Sequence, residues 1–180
     1  GLGVIEPESR IATELSHNRR IGLLATTATV ASGAYDRAVH SYAPDATLIS
    51  VACPSLAPII QNGFPFDRRV VETVRGYCAP LREADVDTVI LGCTHYPLVA
   101  PMLQRMLGPG VALVTSGRAL AGAVAATLQR ADLGSPAQGE GTYRFLCTGD
   151  VETFRALGSH FLQMPIEEIE HVELASGVPA

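Results

Sequence analysis

Short apolar runs alternate along this chain with longer stretches whose apolar positions recur at helical spacing. The pattern predicts strands over residues 20–25, 47–52, 87–91, 111–114, 143–147 and 171–174. Between them it predicts helices over 6–18, 33–42, 54–62, 67–81, 98–107, 118–131 and 150–161. Residues 26–32, rich in hydroxyls, read as a loop. Punctuation agrees: Pro7 suits a first helical turn, residues 63–65 break a helix, Asp67 is an N-cap, and Gly108-Pro109-Gly110 stops a helix. Strands alternating with helices argue for an α/β fold with a mainly parallel sheet. Residues 133–141, polar and rich in Gly, Ser and Pro, are the linker candidate, and there is no internal repeat.

Composition narrows the classes. A chain of 180 residues holds one sizeable domain, or one domain and part of another. With 47% hydrophobic and 17% charged residues it is an ordinary globular sequence. A net charge of −5 without long charged runs gives no argument for nucleic acid or an anionic membrane surface. No run approaches the roughly 18 apolar residues of a membrane span. The start lacks the basic region of a secretory signal, so a cytoplasmic protein is expected. Cys53, Cys78, Cys93 and Cys147 show no CxxC spacing and read as free thiols in a reduced compartment. A metal on Cys93 and His95 would need two or three further ligands, and His17, His40, His160 and His171 lack ligand spacing, so no metal site is expected.

The chemistry concentrates at Cys93. It follows the apolar run 88–91, and a thiol at the C-terminal edge of a parallel strand lies where open α/β sheets bind ligands. The residues after it are expected to begin a helix, whose amides would favour the thiolate, while Thr94 and His95 add a hydroxyl donor and a titratable ring. Such a thiol can serve as nucleophile or as general base. The structural alternative is a buried cysteine at a strand end beside a satisfied histidine.

The run Leu91-Gly92-Cys93-Thr94-His95-Tyr96-Pro97-Leu98 reproduces the second catalytic-cysteine motif of the glutamate racemases, cofactor-independent enzymes of the aspartate/glutamate racemase superfamily. Other superfamily members share its Gly-Cys-Thr core and fit less well at the residues that follow. The segment 21–35, with Thr26, Thr29, Ser32 and Tyr35, resembles the same family's Gly-Thr-x-x-Thr and Ser-x-x-Tyr segment, with Ala25 at the glycine. A hydroxyl-rich loop of this kind can hold a carboxylate, or can simply cap a helix. Residues 53–63 resemble a third family segment, in which Gln61 stands where a glutamate is usual. An amide cannot relay a proton as that carboxylate would. Glu6-Pro7 and the run Thr148-Gly149-Asp150 with Phe154 extend the resemblance along the chain.

The resemblance implies two flavodoxin-like domains. Residues 1–114 would be the nearly complete second α/β domain, and 115–180 the returning part of the first, without its leading strands. It implies Cys93 as one of two opposed acid/base cysteines, assisted by His95, with Thr94, Thr26 and Thr29 binding substrate and Cys53 structural. Glutamate would be the small-molecule substrate, D-glutamate for peptidoglycan the product, and no cofactor would be required. A homo-oligomer stays open. The family's first cysteine, in a Cys-Asn-Thr run that this sequence lacks, would lie upstream of Gly1. A truncated inactive racemase-like domain, or a superfamily member such as an aspartate or hydantoin racemase, remains the alternative.

Overall fold

The structure is a computed structural model, and it describes residues 1–64, 67–136, 139 and 141–174. Pro65 of the expected helix break, and residues 137, 138 and 140 of the expected linker, lie outside the described residues. The chain divides into two compact units, Gly1–Gly134 and Ser135–Ala180. That division falls inside the predicted linker.

The first unit is a four-stranded parallel sheet in the order β2-β1-β3-β4. The strands are β1 (Arg20–Ala25), β2 (Thr47–Ala52), β3 (Thr88–Gly92) and β4 (Ala112–Thr115). Central β1 and β3 are buried almost throughout because helices cover both faces, so they read as continuous apolar runs rather than alternating ones. Ile21, Leu23 and Ala25 of β1 and Ile90 of β3 share a core with Ala12 of α1 (Ile5–Leu15) and Tyr35 and Val39 of α3 (Ala34–Tyr42). On the other face, a Cβ at Gly22 would meet Leu81 of α5 (Arg68–Glu83) at 3.0 Å. Helix α7 (Ser116–Arg130) packs against α1, so this residue range lies in the first compact unit.

Three local expectations change. The hydroxyl-rich loop is a short helix, α2 (Thr27–Ser32), because Thr26 caps its start and Gly33, at φ 62°, ends it in the left-handed region. The helix expected from residue 98 is a 3₁₀ turn, Tyr96–Val99, followed by α6 (Ala100–Leu107). Pro97 and Pro101 lack the N–H groups that a single continuous α-helix would need there. In the second unit the last strand is Ile169–His171, not 171–174. It pairs in parallel with β5 (Phe145–Cys147) across α8 (Val151–Leu162), and that register decides its ends. Asp150 caps α8, accepting from the Thr153 N–H at 2.7 Å.

One carboxylate ties the opening of the sheet together. Asp87 accepts from the Ser16 hydroxyl and from the His17 and Asn18 backbone N–H groups at 2.7, 2.7 and 2.8 Å. Burial pushes its carboxyl up, but these bonds and one from Thr88 outweigh burial and hold it below the usual carboxylate range. Asp87→Ala should therefore cost about 1–2 kcal/mol in urea unfolding, the lower end reflecting its solvent access. The wild-type advantage should shrink as pH falls through the carboxylate range, because protonation removes the acceptor.

Candidate active site

The position of the site follows from strand register. Ala25, Ala52 and Gly92 are abreast, since Ala25 pairs with Ala52 on β2 and with Gly92 on β3. Thr26, Cys53 and Cys93 therefore leave the sheet side by side at its C-terminal edge, on strands about 4.8 Å apart. The chain runs from β1 outward to β2, then returns across β1 to β3. Between β1 and β3 the connections part, which is the switch point where such sheets bind ligands.

The two thiols at this edge differ in enclosure. Cys53 is 1% exposed, its Sγ points at the Val51 carbonyl at 3.5 Å, and burial pushes it up to about 12. The Tyr96 hydroxyl donates to the Cys53 carbonyl at 3.2 Å and closes that position. Cys78, on α5, is buried and likewise pushed up, to about 11. Cys93 is only half-buried. Its Sγ lies 3.8 Å from His95 Nδ1, and His95 Nε2 lies 3.1 Å from Gln61 Nε2. Thr94 Oγ1 stands 3.4 Å from the same Nδ1. A donating amide at Nε2 leaves the ring proton on Nδ1, directed at the sulfur and the Thr94 hydroxyl. Gln61 comes from α4 (Leu56–Gln61), so the line Gln61–His95–Cys93 joins two separate chain segments.

The α-helix expected to begin at the thiol does not do so. A turn and the 3₁₀ segment intervene, and the Tyr96 N–H donates to the Cys93 carbonyl at 3.2 Å. Thr26 and Thr29 are adjacent to this edge but bonded to each other, Oγ1 to Oγ1 at 2.9 Å, with the Thr29 N–H donating to Thr26. Among the described residues no group of three His, Cys, Asp or Glu side chains gathers to hold a metal ion, and no helix is long and apolar enough to cross a membrane.

The sequence pattern of the Asp/Glu/hydantoin racemase family matches residues 2–124. The chain belongs to this family. All the side chains just described lie within the racemase-family match. A glutamate racemase from Lactiplantibacillus plantarum is 38% identical over 97% of this chain and 64% of its own length. A crystal structure of a Bacillus anthracis glutamate racemase isoform superposes with a TM-score of 0.90 at 31% identity, covering 96% of this chain and 64% of that one. One from Francisella tularensis, in complex with D-glutamate, gives 0.87 at 27% identity, covering 97% and 64%. The chain thus spans a little under two thirds of the length of these racemase-family relatives.

Sequence reasoning missed Glu8. It lies on α1, is wholly enclosed, and accepts a short hydrogen bond from the Tyr35 hydroxyl. Its sequence signal is an acidic residue on the apolar stripe that carries Ala12. Burial pushes its carboxyl from the ordinary 4.5 up to about 7, against the opposing hydrogen bonds of Tyr35 and Ser116. Between those values the unfolded chain has released the proton and the folded chain has kept it. Glu8 therefore makes stability fall as pH rises across that window, by up to about 3 kcal/mol. Glu8→Gln should flatten the decline, read as the difference in urea midpoint between mildly acidic and mildly alkaline buffer. An unchanged slope would show that Glu8 ionises freely.

Proposed function

We propose that the protein interconverts L- and D-glutamate without a cofactor, by a two-base mechanism in which Cys93 is the base on one face of the substrate. The observation that carries this is the half-buried Cys93 thiol within hydrogen-bonding reach of His95, at the switch point of a racemase-family sheet. In the thiolate form Cys93 removes the Cα proton, and the opposite base delivers one to the other face. His95 holds the thiolate through Nδ1, and Thr94, Thr26 and Thr29 supply hydroxyls for the substrate's charged groups. The developing carbanion is stabilised by the fixed hydroxyl and imidazole donors of these side chains. On this reading residues 1–114 and 115–180 follow the family's two-domain plan, and the product serves peptidoglycan synthesis in the cytoplasm.

Gln61 shapes the chemistry. An amide on His95 Nε2 orients the ring but takes no proton from it, whereas a carboxylate would stabilise the imidazolium facing a thiolate.

Incubation with each glutamate enantiomer in D2O, followed by proton NMR, tests the proposal. Deuterium should enter Cα, and Cys93→Ala should slow entry by about 10²–10⁴-fold. Gln61→Glu should quicken it. Undiminished exchange in Cys93→Ala would overturn the assignment.

A further inference from the structure

Helix α1 carries a buried acid that the reaction just described does not use. Glu8 Oε2 accepts from the Tyr35 hydroxyl, and Glu8 Oε1 is equally buried. Tyr35, 3% exposed, lies against the end of β3: a Cβ added at Gly92 would stand 3.2 Å from Tyr35 Cε2 and 2.9 Å from Leu23 Cδ1. Gly92 is the last residue of β3, and Cys93 is the next. A packed line therefore runs from Glu8 through the Tyr35 ring to the residue that delivers the thiol.

We propose that Glu8 is a positioning residue for Cys93, acting through Tyr35: their hydrogen bond holds the phenol ring against Gly92 and so sets the orientation and reactivity of the thiol. This rests on the reading of Cys93 as the reactive base. Two further observations support it. First, a fully enclosed carboxyl is costly to bury, and an apolar residue there would pack without that cost. Second, the line is electrostatic as well as steric: the Tyr35 phenol is pushed up by burial, by its bond to Glu8, by the Glu8 charge and then by Cys93. The groups facing Glu8 are Tyr35 from α3 and the Ser116 hydroxyl from α7, while Cys93 at the end of β3 faces Tyr35. Strand β4, Ala-Leu-Val-Thr, contributes no titratable side chain.

The test is the rate at which iodoacetamide labels each cysteine, read by peptide mass spectrometry from mildly acidic to mildly alkaline pH. Wild type, Glu8→Gln and Tyr35→Phe are compared. Glu8→Gln keeps an acceptor for the phenol but cannot ionise. It should label Cys93 at the wild-type rate at acidic pH and differ from it by about threefold at alkaline pH, where only the wild-type acceptor is charged and its bond to the Tyr35 phenol is the stronger. Tyr35→Phe, which keeps the ring and frees it from Glu8, should change Cys93 labelling by about threefold or more at every pH. Buried Cys53 and Cys78 should stay protected in both variants. Wild-type Cys93 rates in both folded variants would overturn the proposal. So would Cys53 and Cys78 becoming labelled in step with Cys93, since that marks general loosening. Should Tyr35→Phe fail to fold, the Glu8→Gln profile alone decides. Labelling needs no substrate, so absent deuterium exchange with the expected labelling pattern would sink the racemase reading and leave this one standing.

Discussion

The parallel pairing of β1 with β3 is the constraint on which the candidate site depends. It sets Ala25 opposite Gly92, and with them Thr26 and Cys93, which come from segments far apart in sequence. A slip of one residue in either strand would turn its glycine away from the side chains packed close against it and part the hydroxyl from the thiol. Two glycines lock the register sterically. Gly22 leaves room for Leu81 on one face, and Gly92 leaves room for Leu23 and Tyr35 on the other. The same close packing that stabilises the sheet therefore aims the site.

Much of this is legible in the sequence, for reasons that can be named. The runs at 20–25 and 47–52 match their strands because a short apolar run between helical patterns has few other uses. Asp67 is a cap because a carboxylate ahead of a helical stretch satisfies backbone donors otherwise left bare. What the sequence conceals is set by tertiary contact or local chemistry. The turn over 26–32 becomes helical because Thr26 caps it, a bond that composition alone does not reveal. The end of the last strand follows its partner, not its own apolar positions. Glu8 reads as one more acidic residue near a helix start until Tyr35, distant in sequence, closes over it.

Reactivity at the sheet edge is sorted by enclosure. Cys53 and Cys93 follow the two strands that flank β1, at the same level, and placement alone does not separate them. Cys53 is followed by a proline and buried, so desolvation disfavours its charged form. Cys93 is followed by Thr94 and His95, and it keeps an open side and a ring nitrogen within reach. Tyr96 links the two positions: one residue beyond His95 in the same turn, its hydroxyl bonds the Cys53 carbonyl while the turn that contains it brings the imidazole to Cys93. One short segment thus ties down the backbone at one cysteine and brings a ring nitrogen to the other. Its effect depends on the register that sets the two strands abreast.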